Sequence, residues 1–222
     1  MKYSLQLIVA ATTLSAAMGV AAQQAGDVMV RAGYGNITPH VTSGNMSAPS
    51  ITGSKSDVGP ANSVVGGVTY MYTNNVSFDL PLALPFKHKL YGAGALAGTG
   101  ELGEVQALPA TVFAQYRFGE PEGQVRPYAG LGLTYAYFFN ESGSGALTAI
   151  TNPGGPPTKI KVDSQWTYTA QVGLTVKVDK QWFVDLFYSV TPLKTKTSMS
   201  TGQTQDVTLD PVAYGLTLGY KF

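Results

Sequence analysis

The sequence predicts an all-β fold: an eight-stranded antiparallel transmembrane β-barrel with short turns at one end and long loops at the other. Three observations carry that expectation. Only 12% of the residues are charged while 11% are aromatic, a low charge share for a water-soluble domain. No stretch after residue 22 approaches the roughly 18 apolar residues of a membrane helix, which leaves the closed barrel, with every backbone group paired between strands, as the spanning solution. Finally, segment after segment alternates large apolar residues with small or polar ones at the period of a strand.

Taken in order, residues 1–22 read as a cleavable export signal. Met1-Lys2 is a short positive start, the stretch from Leu5 to Val20 is uncharged and mostly apolar, and Val20-Ala21-Ala22 supplies the small residues that a signal peptidase needs. An N-terminal anchor is the rival reading, and the short apolar run argues against it. The barrel domain then spans residues 23–222. Its first two strands are expected over 28–34 and 64–72. The third sets Val76, Phe78, Leu80, Leu82, Leu84 and Phe86 against Ser77, Asp79, Pro81, Ala83 and Pro85. Residues 108–118 and 125–139 supply the fourth and fifth. The sixth sets Trp166, Tyr168, Ala170, Val172, Leu174 and Val176 against Thr167, Thr169, Gln171, Gly173, Thr175 and Lys177. The seventh sets Trp182, Val184, Leu186, Tyr188 and Val190 against Phe183, Asp185, Phe187 and Ser189. In the eighth, Val212, Tyr214, Leu216, Leu218, Tyr220 and Phe222 share one face. The opposite face there, Ala213, Gly215, Thr217, Gly219 and Lys221, is too small for a packed core, so the large residues must meet lipid.

The connectors alternate in length. Asn74-Asn75, residues 120–124 and Asp179-Lys180 are tight turns, whereas 37–61, 88–103, 140–163 and 195–206 are long. That is the pattern of periplasmic turns and extracellular loops, and a soluble β-sandwich has no reason to follow it. Aromatic residues gather near strand ends, among them Tyr116, Phe118, Phe138, Phe139, Trp182, Tyr220 and Phe222, where interfacial girdles belong.

Charge and composition exclude several functions. Without Lys2 the chain carries 13 basic against 13 acidic residues, which gives no electrostatic case for nucleic acid. There are no cysteines, hence no disulfide framework and no thiolate chemistry. The histidines, His40 and His88, stand beside no evident Ser-Asp pair, which argues against a lipid acyltransferase or deacylase. Gly92-Ala93-Gly94 lacks the βαβ context of a phosphate loop. No metal-ligand cluster appears, and no cofactor is expected.

Several motifs, in order, resemble the OmpW-type outer-membrane proteins. They are Gly26-Asp27-Val28-Met29-Val30-Arg31-Ala32-Gly33, Pro85-Phe86-Lys87-His88-Lys89, Leu108-Pro109-Ala110-Thr111, Val125-Arg126-Pro127-Tyr128-Ala129-Gly130, Asp163-Ser164-Gln165-Trp166, Gln171-Val172-Gly173-Leu174, Leu209-Asp210-Pro211 and the terminal Tyr220-Lys221-Phe222. The resemblance implies a bacterial outer-membrane barrel with a narrow, partly apolar lumen, associated with passage of small hydrophobic molecules. It implies that Phe222, with Tyr220, presents the chain to the barrel-assembly machinery. It also implies a lumen narrowed by an apolar pair that includes a tryptophan, here Trp166. Where the family has the partner leucine, this chain has Val64, Val65 and Gly66. Strict alternation sends Trp166 toward lipid, so a lumenal Trp166 requires an irregularity near Gln165. Phe183 and Phe187, on the inward face of the seventh strand, are further candidates for the solute path.

The residues themselves suggest a mechanism. An eight-stranded barrel is only just wide enough for its own side chains, so a path needs small inward residues; Gly130, Gly132, Thr134, Ala136, Thr169, Gly173, Ala213, Gly215 and Thr217 supply them. Arg31, Asp79, Arg117, Arg126, Lys177, Asp185 and Lys221 fall near the periplasmic end and are expected to pair into a polar floor. Apolar cargo would then leave sideways. Proline cannot donate to a ladder, and Pro85 with Pro109, or Pro192 with Pro211, would leave a gap in the wall; the alternative is that these prolines only end strands at the rim. The expected partners are outer-membrane lipid, lipopolysaccharide (through Lys87-His88-Lys89 at the rim) and a small hydrophobic solute. Segments 38–60 and 152–158 read as irregular loops over the mouth. The sequence therefore points to an outer-membrane channel for small hydrophobic molecules, or alternatively to a recognition barrel whose loops bind a partner and whose lumen is inert.

Overall fold

The computed structural model describes residues 23–222; the export signal expected over residues 1–22 lies outside the described residues. In chain order the elements are β1 (Val28–Thr38), β2 (Thr42–Ser43), β3 (Ser54–Val58), β4 (Ala61–Met71), β5 (Val76–Ala83), β6 (Phe86–Gly94), β7 (Glu101–Arg117), β8 (Val125–Gly143), α1 (Gly145–Thr151), β9 (Ile160–Val162), β10 (Gln165–Lys177), β11 (Trp182–Val190), β12 (Lys194–Met199), β13 (Thr204–Thr208) and β14 (Val212–Lys221). The wall runs β1-β4-β5-β7-β8-β10-β11-β14, antiparallel throughout, and β14 returns to pair with β1 from Met29↔Lys221 to Thr38↔Val212. The barrel is closed with eight strands, as expected, and so leaves no sheet edge in lipid.

Alternation sorts the side chains. Through the spanning region the outward positions are apolar or small: Leu80 and Leu82 on β5, Val112 on β7, Leu131 and Leu133 on β8, Val172 on β10, Leu216 and Leu218 on β14. Inward positions of these strands and of β4 hold Thr69, Asp79, Gln115, Thr134, Gln171 and Thr217. Had that order been reversed, each Arg or Lys at the bilayer midplane would cost about 2–4 kcal/mol. Aromatic girdles mark both rims. At the periplasmic rim Trp182 packs edge-on against Tyr220 (5.2 Å) and Tyr220 against Phe222 (4.9 Å), while Tyr135, Trp166 and Tyr137 mark the outer one. The periplasmic turns are held by their own side chains. Asp179 accepts hydrogen bonds from the N–H groups of Trp182 and Gln181, both 2.8 Å, which hold its carboxyl below the usual carboxylate range.

The outer connectors differ from expectation. Segments expected as long loops are largely strand: β6 and the upper ends of β7 and β8 rise above the lipid belt, and β2, β13, β12 and β9 form a second sheet. The physical reason is a second core. Met46, Leu90, Leu96, Leu102, Val105, Leu147, Ile160 and Val162 bury together above the membrane. There the pattern is inverted relative to the spanning region. On β6 the inward residues are Phe86, His88 and Leu90, while Lys87 and Lys89 point outward into water.

The inversion on this side of the barrel has a definite location. The expected apolar face of the third strand ran from Val76 through Phe86, yet Leu84 is 60% exposed on the lipid side and Phe86 is 3% exposed in the lumen. β5 pairs with β7 up to Asp79↔Phe113, and β6 resumes pairing at Phe86↔Ala107. Between these registers one side contributes residues 80–85 and the other residues 108–112, one residue fewer. The extra residue is a bulge, and it turns every later side chain to the opposite face.

Below the bulge the small inward residues do not leave open space. Phe187 lies over its cross-strand partner Gly215, Phe183 over Gly219, Phe113 over Gly132 and Tyr128 over Gly173. Each ring fills the place that a Cβ would take. A Cβ at Gly219 would fall inside the Phe183 ring. Gly219→Val should therefore destabilise the barrel by about 1–3 kcal/mol, whereas Leu218→Val on the lipid face should do far less. Urea unfolding in lipid vesicles checks this; equal losses would contradict the filled-lumen account.

Candidate functional site

The lumen is divided at Arg31. This arginine, 8% exposed, donates from both terminal nitrogens to the two oxygens of Asp79 (2.6 and 2.8 Å) and also to Thr69 Oγ1 at 2.8 Å. Its Nε lies 3.8 Å from Asp185, which accepts from Tyr128 Oη (3.0 Å) and Thr175 Oγ1 (2.9 Å). Arg117 donates to Ser77, Thr175 and Gln115, and its guanidinium sits 4.8 Å from the centre of the Tyr128 ring. Beneath this layer Arg126 donates to the carbonyls of Gln23 (3.0 Å) and Asn74 (2.6 Å), and Gln23 is itself buried. Lys177 donates to the Pro121 carbonyl (2.9 Å), and Lys221 lies 3.2 Å from Asp27 at the rim. The sequence-derived floor residues thus lie together at the periplasmic end. Every buried charge in such a layer needs partners, because an unpaired one is far costlier than the pair is favourable.

Above Arg31 the lumen opens into a cavity of about 180 Å³. A cavity of roughly 150 Å³ lined by Leu, Ile and Phe already accommodates a benzene-sized molecule. The walls are mostly apolar: Val65, Phe86, Leu90, Leu102, Phe113, Phe138 and Phe187, roofed by Leu147 of α1 and by Met46. A row of hydroxyls crosses them, in which Thr111, Thr134, Thr169 and Thr191 join at 2.8, 2.6 and 2.9 Å, and Ser56, His88 and Gln205 add polar groups higher up. The row largely satisfies itself.

The cavity reaches the wall at the bulge, where Pro81, Leu82, Ala83, Leu108 and Pro109 all line it. No ladder pairing joins residues 80–85 to 108–112 among the described residues. Pro85 and Pro109 therefore flank an unzipped stretch, together with Pro81. Pro192 and Pro211 do not form a second such gap. The N–H of Thr191 donates to the Pro211 carbonyl (3.1 Å), the N–H of Leu193 to the Asp210 carboxylate (2.9 Å) and the N–H of Leu209 to the Leu193 carbonyl (2.8 Å). These bonds carry the pairing past both prolines into β12 and β13, so there the prolines sit in a bridged rim.

Two constriction residues are also corrected. Trp166 is 66% exposed on the lipid face, packed against Tyr135 at 4.9 Å. β10 pairs with β8 without a slip from Gln165↔Ala136 to Val176↔Val125, so nothing turns Trp166 inward. Val64 likewise faces lipid at 44% exposure, whereas Val65 faces the lumen. The apolar cluster that faces the lumen is formed instead by Val65, Ala61 and Phe86, with Phe187 and Ile37 against them. Phe183 lies lower, packed with Met29 and Met71 beneath the charged layer. Phe113 and Tyr128 were legible by parity with Arg117 and Arg126, whereas Phe86 was hidden by the bulge.

His88 was noted in the sequence for the rim and lies instead inside. It is 4% exposed, lines the cavity, and its Nδ1–H donates to the Gly59 carbonyl at 2.8 Å. Burial pushes its imidazole below the usual histidine range, partly offset by that bond. The ring is therefore held neutral in the fold, and its contribution to stability is present above pH about 6.5 and declines as the pH falls through its lowered value.

A closed eight-stranded barrel with an apolar belt, two aromatic girdles and a buried layer of paired charges defines the class of outer-membrane β-barrel proteins. A model of the OmpW family matches residues 24–222. The chain is 34% identical over 209 residues to outer membrane protein W of Vibrio cholerae, covering 91% of this chain and 92% of that protein. It is 26% identical over 175 residues to a dibenzothiophene metabolism operon protein of Pseudomonas aeruginosa, covering 78% and 77% of the two chains. Its structure is similar to the crystal structure of the outer membrane protein OprG from Pseudomonas aeruginosa, with a TM-score of 0.82 and 26% identity over 92% of this chain and 99% of that one. The chain belongs to the OmpW family and is a bacterial outer-membrane protein.

Two outcomes follow from the site. Asp79→Ala should cost about 3–5 kcal/mol because it strands Arg31, and the Arg31→Met/Asp79→Leu double variant should recover much of that loss. A double variant no more stable than Asp79→Ala would show that the pair is not the unit of the floor. The His88 ring, followed by NMR, should titrate below pH 6.5; a midpoint at or above that value would contradict its burial.

Proposed function

We propose that this protein takes up small hydrophobic molecules from outside the cell and releases them sideways into the outer membrane. The observation that carries the reading is the unzipped stretch of wall at residues 80–85 and 108–112, which the apolar cavity reaches from within. A solute held by Val65, Phe86 and Phe113 meets a charged layer below and an apolar exit beside it. Crossing the layer would strip partners from Arg31 and Asp79, whereas leaving between Leu82 and Pro109 costs no buried hydrogen bond. The wall can stay open there because Pro81, Pro85 and Pro109 lack the N–H donors that a ladder requires. The relative named for dibenzothiophene metabolism fits an apolar aromatic solute. Lys87, facing outward just above the bulge, together with Lys89, which is paired to Glu101 at 2.8 Å, would meet lipopolysaccharide phosphates by charge attraction. The half-buried Tyr220 and the exposed Phe222 at the end of the chain would present it to the assembly machinery.

Replacing Pro81, Pro85 and Pro109 together by Val restores three ladder donors. Uptake of an apolar dye into cells should then slow several-fold while the barrel stays folded and heat-resistant. Steady ion conductance should remain low in both proteins, because the floor is untouched. Unchanged dye uptake in the folded triple variant would contradict lateral release.

A further inference from the structure

Among the polar side chains that line the mostly apolar upper cavity, His88 carries an imidazole nitrogen with no bonded partner. It projects from β6 between Phe86 and Leu90, on the inward face, while its neighbours Lys87 and Lys89 point out. The Gly59 carbonyl can only accept, so the proton of the neutral ring must sit on Nδ1. That leaves Nε2 as a bare acceptor. No side chain or backbone group among the described residues bonds to it, yet it is not sealed off from solvent-sized space as the unpartnered Ser54 and Thr217 hydroxyls are. The residue as a whole is 4% exposed, points inward from β6 and lines the cavity. When an apolar solute fills the space beside it, this acceptor loses contact with water, which is costly unless the solute supplies a donor. Leucine or phenylalanine would line an apolar duct at no such cost.

We propose that His88 Nε2 is a solute-binding acceptor, and that the favoured cargo is an apolar molecule carrying a single hydrogen-bond donor, an alcohol or a phenol. This assignment rests on the hydrophobic-uptake reading and narrows its substrate class. The donor of such a solute bonds to Nε2 while its apolar body lies against Phe86, Leu90 and Val105. A hydrocarbon of the same shape leaves Nε2 unmatched and binds less well.

Phenol and toluene differ by a hydroxyl in place of a methyl and make the direct comparison. The full-length barrel in lipid nanodiscs is titrated with each, and the methyl resonances of Leu90 and Val105 report occupancy. Partition into lipid is common to wild type and variants, so it cancels in their ratio. His88→Phe should weaken phenol by roughly threefold to tenfold, the worth of one hydrogen bond, and leave toluene unchanged. His88→Gln, which keeps a carbonyl acceptor, should retain part of the phenol preference and serves as the folded control. If toluene binds and the phenol-to-toluene ratio is the same in all three proteins, the acceptor assignment is overturned while hydrophobic uptake stands. If neither solute moves the cavity methyls of the folded wild type, both are overturned.

Discussion

A strand that spans a membrane and then continues into water must reverse its polarity. Within lipid its outward residues are apolar and its inward ones polar; above lipid the two exchange. Alternation along a strand is rigid, so the exchange happens either by changing the residues or by slipping the register by one. On the third strand of this barrel the residues do not change: the even positions stay apolar from Val76 to Phe86. The register slips instead, and the bulge before Phe86 carries the apolar stripe from the lipid face to the lumen. An apolar cavity above, a lipid-facing belt below and a weak seam between them all follow from that one extra residue.

The charged layer gives the cavity its lower end. Arg31, Asp79 and Asp185 sit below it, with threonine and tyrosine hydroxyls filling the remaining lone pairs. Aromatic rings laid over glycines then fill what is left. The lower barrel is thus filled by its own side chains, and under the proposed function a solute in the upper cavity would find the seam easier than the floor. The filled lower barrel and the unpaired stretch of wall above it are two parts of one arrangement.

Most of the wall was legible in the sequence because lipid enforces alternation, and the floor was legible because inward charges near short turns have nowhere else to gather. Three things were not. Phe86 keeps the parity of Leu84, so no periodic reading detects the bulge; only the nearby prolines hint at it. The outer extensions were read as loops because their inward leucines and valines are interspersed with glycine, and their core forms only when four connectors meet. Trp166 fits the motif of a lumenal residue, yet the unbroken β8–β10 register holds it in the girdle. Sequence motifs locate a residue along the chain, whereas register decides which side of the wall it serves.

The central claim is that the solute path bends sideways above the charged layer. Photolabelling with an apolar diazirine solute, followed by mapping of the modified residues, tests it most directly. The account predicts labels on the lumenal residues Val65, Phe86 and Phe113 and on Ala83 at the seam, with none on Met29, Met71 or Phe183 beneath the floor. Labels on both sides of Arg31 would contradict it and show that the solute passes straight through.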